Sequence, residues 1–277
     1  MNPRTELKNL IISDDTLIMP DAYDPISARI IEKSGFKAIQ CSGYSYSIAA
    51  ARNQEIDISL EENIQLTAKI VDATNLPVMA DAEDGYGDAV AVARTVKKFM
   101  DAGVAGLNLE DQILSSASNS IVTEKEMCHK IHVAREVSEN ENNPDFIING
   151  RTDALKTMEN REDALNIAVE RSNLYLEAGA DLTFVTYVET IDEVKTLKKE
   201  VRGPISIAAG MPYNINNFTI NDLIKIGVNR ISFPSLLIYS SLKALEESLN
   251  YLKKDDLQKF APDKLYSPDK LNELLKK

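Results

Sequence analysis

Ala102-Gly103-Val104-Ala105-Gly106-Leu107-Asn108-Leu109 is the stretch whose reading decides the fold. A helical pattern ends, a glycine follows, and a short apolar run begins. Glycine just past a helix adopts the left-handed cap conformation without a Cβ clash. The same junction recurs at Ser34-Gly35-Phe36-Lys37-Ala38-Ile39-Gln40, at Ala178-Gly179-Ala180-Asp181-Leu182-Thr183-Phe184-Val185 and at Ile226-Gly227-Val228-Asn229-Arg230-Ile231-Ser232-Phe233. Between these lie four more strand candidates, at residues 17–20, 77–80, 146–149 and 204–208. Each strand precedes a stretch with helical periodicity, at 27–33, 60–72, 89–101, 125–137, 161–177, 191–199, 221–225 and 235–251. Strict alternation of strand and helix calls for a parallel sheet with helical crossovers. Eight such units predict an α/β fold, the closed (β/α)8 TIM-type barrel, with an open doubly wound sheet as the rival. Residues 1–277 read as one barrel domain, and the charged helical tail from about residue 252 to 277 is expected to pack on a partner subunit.

Composition narrows the function. The net charge of -12 disfavours a nucleic-acid or anionic-membrane partner, because phosphate binding needs clustered Lys and Arg. No apolar run approaches the length of a membrane span, and the N-terminal residues Met1 to Glu6 lack the apolar core of a signal peptide. The two cysteines, Cys41 and Cys128, form no CxxC pair, which suits a reducing cytoplasm and gives no thiolate zinc site.

A barrel places its site where the strands end. The chemistry-bearing residues gather there: Asp21 and Asp24 after the first strand, Cys41-Ser42-Gly43-Tyr44-Ser45 after the second, Asp81-Ala82-Glu83-Asp84-Gly85-Tyr86-Gly87 after the third, Glu110-Asp111-Gln112 after the fourth and Arg151-Thr152-Asp153 after the fifth. Three carboxylates within residues 81–84, at the end of an apolar strand, repel one another with little water to screen them. A divalent cation, which prefers hard oxygen ligands, would resolve the conflict. The competing reading is a solvated acidic turn opening a helix.

Four of these motifs in order resemble the isocitrate lyase/phosphoenolpyruvate mutase superfamily. They are Ser42-Gly43-Tyr44-Ser45, the 81–87 cluster, Gly106-Leu107-Asn108-Leu109-Glu110-Asp111-Gln112 and Asn149-Gly150-Arg151-Thr152-Asp153-Ala154. The resemblance covers roughly residues 15–240 and implies a (β/α)8 barrel that binds Mg²⁺, with Mn²⁺ as a substitute, and acts on oxo acids or their enolates. It implies that Asp81 and Glu83 hold the metal with Glu110 nearby, and that Arg151 grips a substrate carboxylate. Ser42 and the N–H groups of Gly43 and Tyr44 would cradle the oxo oxygen. Many members exchange the eighth helix between subunits, so a homodimer or homotetramer is expected. A plain tight turn and a structural Arg–Glu pair are the simpler readings of the same residues.

The chain also departs from the family pattern. Glu83 stands where better-known members have Asp. The segment Ile113-Leu114-Ser115-Ser116-Ala117-Ser118-Asn119-Ser120 lacks the Cys, Lys and His of the isocitrate and methylisocitrate lyase loop. Asn53 falls near the position where mutases and phosphonopyruvate hydrolases carry an Asp. Cys128, His129 and His132 read as helix surface or core, and Tyr44, Tyr46 and Tyr86 are expected to flank the site. These residues together point to a Mg²⁺-dependent lyase that cleaves a C–C bond of a small oxo or hydroxy dicarboxylate through an enolate, with oxaloacetate decarboxylation as one form. P–C chemistry of the phosphonomutase or phosphonopyruvate hydrolase kind, and a non-catalytic oxo-acid-binding barrel, are the alternatives.

Overall fold

The computed structural model describes residues 2–113, 120–260 and 265–276. Eight strands close into a parallel barrel in sequence order: β1 Leu17–Ala22, β2 Ile39–Cys41, β3 Val78–Asp81, β4 Gly106–Glu110, β5 Ile147–Thr152, β6 Leu182–Val185, β7 Ile205–Ala208 and β8 Arg230–Phe233. Closure comes from β1 against β8, with Leu17 opposite Arg230 and Pro20 opposite Phe233. The expected barrel is therefore observed, and the open-sheet rival is excluded.

The helices described are α1 Pro3–Ile12, α2 Pro25–Lys33, α3 Gly43–Ala49, α4 Leu60–Ala73, α5 Ala89–Asp101, α6 Glu124–Asn140, α7 Ala154–Thr157, α8 Arg161–Glu177, α9 Ile191–Glu200, α10 Ile220–Ile226, α11 Leu236–Lys253 and α12 Pro268–Leu275. Their starts carry local signals. Asp24, Ser59, Thr190 and Thr219 cap α2, α4, α9 and α10 in reciprocal capping boxes. At the other end, Gly103 sits at φ +87°, where an added Cβ would be strained and would press on Val71. Gly35, Gly179 and Gly227 occupy the same region.

Three of these helices, α1, α3 and α7, were not anticipated, and α12 of the expected helical tail has an unexpected seat. α1 shows only two buried residues, Leu7 and Ile11, too few for a visible period. They pack with Leu17, Met19, Met79, Ile147 and Leu182 and so plug the N-terminal mouth of the barrel. α3 and α7 are too short to carry a pattern. α12 folds back onto α2 of its own chain, with Leu274 buried and Arg29 Nη1 donating to the carbonyls of Leu274 and Lys276. This part of the tail thus has an intramolecular seat. α11 is different: it buries only Ile238, while Tyr239, Leu242, Leu245, Leu249 and Leu252 are exposed along it.

Candidate active site

Strand register brings the acidic groups together. β3 pairs Asp81 with Asn108 of β4, and β4 pairs Glu110 with Arg151 of β5. Glu83 reaches the same point through a backbone reversal, since Glu83, Gly85, Tyr86 and Gly87 all have positive φ. Two of these are not glycine, a costly arrangement that persists only when surrounding contacts enforce it. Those contacts are visible: Asn63 Nδ2 donates to the Asp81 carbonyl, Thr95 Oγ1 to the Gly85 carbonyl, and the buried Lys130 ammonium to the Asp84 carbonyl at 2.8 Å.

Asp81, Glu83 and Glu110 each offer a carboxylate oxygen, all within 4.8 Å of one another, and all three residues are buried. At an effective dielectric of about 20, each pair of charges at such a distance repels by roughly 3–4 kcal/mol. Burial pushes the Glu83 and Glu110 carboxyls well above their ordinary range; the other acids add to the shift and Arg151 opposes it. Asp81 is likewise raised by burial, against the opposing charge of Arg151. Asp81 Oδ1, Glu83 Oε2 and both Glu110 oxygens have no hydrogen-bond donor among the described residues. Crowded, dry carboxylate oxygens without hydrogen-bond donors, only Glu110 Oε2 facing the Arg151 cation, are the donor set a divalent cation needs, and a solvated acidic turn would not be dry or crowded in this way.

The Ser42-to-Ser45 motif is not a plain turn but the start of α3. Ser42 Oγ accepts from the Ser45 N–H as the N-cap. Gly43 N–H points at Asp81 Oδ2, 3.3 Å away. A Cβ on Gly43 would lie 1.5 Å from Glu83 Oε1. Glycine is required here so that the Glu83 carboxylate can lie against the backbone. Gly43→Ala should therefore displace Glu83 and weaken Mg²⁺ affinity on the order of tenfold or more. The fold should survive, because the obstructing atom ends a movable side chain. Calorimetric Mg²⁺ titration alongside thermal melting checks this, and unchanged affinity would count against Glu83 as a ligand.

Arg151 sits between the acids. Its Nη1 lies 2.5 Å from Glu110 Oε2 in an ion pair that lacks hydrogen-bond alignment, and its Nη2 lies 3.1 Å from Asp153 Oδ2. The structural Arg–Glu pair is thus present, and it does not exclude a ligand role, since Arg151 also lines the adjoining cavity. That cavity has a volume of about 420 Å³ and opens at the C-terminal rim, with Ser42, Tyr44, Asp81 and Arg151 in its wall. Glu83 and Glu110 are not among its lining residues.

Several lining residues escaped the sequence reading. Glu55, in a short 3₁₀ turn at Glu55–Asp57, faces the cavity, whereas Asn53 is exposed and does not line it. A carboxylate therefore stands on the cavity wall two residues after Asn53. Burial pushes the Glu55 carboxyl up to about 7, with Arg151 opposing and Asp81 adding to the shift. Lys156, Tyr187, Tyr213 and Tyr239 were also missed; they come from loops after β5, β6 and β7 and from α11. Of the tyrosines expected, only Tyr44 lines the cavity, hydrogen-bonded to Tyr239 at 2.9 Å. Tyr46 is buried against Thr67, and Tyr86 accepts from Asn63. Cys128 and His132 lie on α6 outside the cavity, His132 beside Glu136 on the helix surface. Residues 114–119 of the divergent loop lie outside the described residues.

Beneath the cavity, Arg230 is fully buried in the barrel, bonded to Ser206 at 2.7 Å and to Gln40. Burial lowers its pKa to about 10, against the charges of Asp81 and Asp21.

Known proteins share this arrangement of strands. The family model for phosphoenolpyruvate phosphomutase matches residues 7–253. The chain belongs to the phosphoenolpyruvate phosphomutase family. A 2,3-dimethylmalate lyase of Eubacterium barkeri is 31% identical over 284 residues, spanning 99% of this chain and 94% of that protein. A 2-methylisocitrate lyase of Aeropyrum pernix is 30% identical over 278 residues, spanning 99% and 87%. A phosphonopyruvate hydrolase solved with oxalate and Mg²⁺ superposes with a TM-score of 0.87 at 24% identity, covering 99% of this chain and 95% of its own. At that identity the likeness speaks for the fold. The family resemblance expected from the four motifs therefore holds along most of the chain.

Proposed function

We propose that this chain is a Mg²⁺-dependent carbon–carbon lyase that splits a small 2-oxo or 2-hydroxy dicarboxylate through an enolate. The observation that carries this reading is the buried Asp81–Glu83–Glu110 cluster beside a cavity that also presents Arg151. The two lyase relatives act, by their names, on branched hydroxy acids and support the same class. Asp81, Glu83 and Glu110 would hold the cation, partly through water, and Mn²⁺ would suit the same oxygens. Bound there, the cation supplies positive charge where the substrate's oxygen becomes anionic. Arg151 binds a substrate carboxylate with its planar fork, exchanging part of its contact with Glu110 and Asp153. Ser42 and the Tyr44 N–H, from two residues of the cavity wall, would bind the developing oxyanion. Gly43 N–H joins them once Asp81 turns toward the cation. In a decarboxylation the breaking C–C bond leaves its electron pair on the enolate, CO₂ departs, and the enolate carbon takes a proton. Glu55, able to carry a proton near neutral pH, stands in the wall for that last step.

A turnover screen of C4 to C7 oxo and hydroxy acids and of phosphonopyruvate, with and without Mg²⁺, tests the proposal. Oxaloacetate should be turned over faster than isocitrate, because decarboxylation needs no initial proton abstraction. Efficient cleavage of isocitrate or 2-methylisocitrate would overturn this reading of the loop. Glu55 gives the P–C alternative a specific footing, since it restores a carboxylate close to where mutases carry one. Turnover of phosphonopyruvate above all oxo diacids would favour that alternative. Oxalate binding with no turnover at all would favour a binding protein.

The exposed apolar face of α11 is proposed as a subunit contact, in keeping with the family's habit of exchanging its last barrel helix. Light scattering should give a homodimer or homotetramer at micromolar concentration, and a stable monomer would refute the assignment.

A further inference from the structure

The far wall of the cavity has a character of its own. Lys156, on α7 just past β5, and Arg151 are the two cations among the described lining residues. Arg151 is already paired with Glu110 and Asp153. Lys156 has no carboxylate at ion-pair distance among the described residues. It makes one hydrogen bond there, from Nζ to Gln112 Oε1 at 3.3 Å. Among the described residues, two of its three N–H donors have no hydrogen-bond partner and can serve a ligand.

The ammonium is held rather than free to wander. It lies 5.3 Å from the Tyr187 ring centroid, a cation–π contact. Tyr187 in turn stacks on Tyr213, with ring centroids 5.0 Å apart and planes inclined by 21°. The Tyr187 N–H donates to Tyr213 Oη at 3.3 Å, and Tyr187 takes the left-handed conformation at φ +60°. A strained, non-glycine residue stacked under a half-buried lysine, all on one cavity wall, is a preorganised anion seat. Phe184, Met211 and Pro212 line the same cavity and give it an apolar surface.

We propose that Lys156, seated on the Tyr187–Tyr213 stack, is a specificity-determining residue that binds a second carboxylate of the substrate, apart from the one held by Arg151. The inference rests on the lyase reading above and deepens it. The substrate carries anionic groups at both ends and an aliphatic middle against Phe184 and Met211. A monocarboxylic oxo acid fills only the Arg151 end.

Matched pairs of ligands test this by calorimetry in the presence of Mg²⁺: 2-oxopentanoate against 2-oxoglutarate, and 2-oxohexanoate against 2-oxoadipate. Members of each pair share a chain length and differ in the terminal group. In the wild-type protein the diacid of at least one pair should bind more tightly, on the order of tenfold or more, the scale of a charge-assisted hydrogen bond. Lys156→Met should bring that ratio to within about twofold of unity, and Lys156→Arg should keep most of it. Lys156→Gln serves equally if the Met variant fails to fold. An undiminished ratio in the Met or Gln variant would overturn the proposal. So would an equal loss of affinity for monoacid and diacid, which would mark Lys156 as a support for Gln112 and Tyr187 only. A wild-type protein that binds neither these acids nor oxalate with Mg²⁺ would remove the lyase reading itself, and the subsite with it.

Discussion

Replacing Asp81 with asparagine should abolish Mg²⁺-dependent oxalate binding while leaving the barrel folded, and more stable than the parent when no metal is present. Asp81 sits at the end of β3, where side chains serve the rim more than the core. Its Oδ2 accepts from the Gly43 N–H, a contact that asparagine keeps through its own oxygen. What asparagine cannot keep is the charge. Asp81 raises the carboxyls of Glu83 and Glu110 in addition to the effect of burial. A buried acid whose folded pKa lies above its unfolded value contributes stability that is present below the unfolded value. That stability is lost as pH rises through the folded one. The metal-free parent should therefore lose stability from about pH 4 upward as Asp81, Glu83 and Glu110 are forced to ionise.

Mg²⁺ binds the ionised form, so its stabilising effect should grow over the same range, reaching about 2.7 kcal/mol at a hundredfold excess over Kd. In the variant the Mg²⁺ effect disappears and the pH-dependent loss shrinks, by on the order of 1 kcal/mol at pH 8. Thermal melts at pH 5 and pH 8, with and without Mg²⁺, read both terms. An Asp81→Asn protein with parental Mg²⁺–oxalate affinity would show that the cation is held elsewhere.

The barrel was legible because its signals are local and repeated. A capping residue such as Ser59, a closing glycine such as Gly103 and the apolar run after it each act within a few residues, and eight repeats leave little freedom of topology. The metal-binding candidates were legible for a related reason. Asp81 and Glu110 end their strands, and strand order alone puts neighbours together. Glu83 was named as a candidate ligand through the family resemblance, but the backbone reversal that carries it was not legible, because positive φ at a non-glycine residue has no sequence signature.

The far wall was not legible. Glu55, Lys156, Tyr187 and Tyr213 come from segments after β2, β5, β6 and β7 that are too short to show a period, and they meet only when the barrel closes. Asn53 lies two residues from Glu55, the carboxylate that faces the cavity. α1 was missed, and the seat of α12 on its own chain was not foreseen, because each buries one or two side chains. Their seats are made by distant strands and by α2.

Arg151→Lys should lower kcat/KM for the preferred acid by at least about a hundredfold, equivalent to roughly 2.7 kcal/mol. Two guanidinium groups lie near the site, and each is 5.9 Å from the Phe184 ring centroid. Arg230 is sealed in the barrel with its donors committed to Ser206, Gln40 and Met19, so it can act on a ligand only as a distant charge. Arg151 is 14% exposed at the side chain, lines the cavity, and has Nε without a partner among the described residues. It alone can present a fork to a carboxylate. Lysine keeps the charge but offers a single point, and its ammonium cannot meet Glu110, Asp153 and a ligand at once. Leaving either buried acid unpaired is itself costly, by about 3–5 kcal/mol when a buried pair loses a partner. The variant should accordingly melt earlier, and its KM for the acid should rise together with the fall in kcat. Mg²⁺ titration separates the two effects. If Arg151 anchors substrate, the Arg151→Lys protein should still bind Mg²⁺ while its oxalate affinity falls. Parental kinetics in this variant would place the carboxylate anchor on another residue.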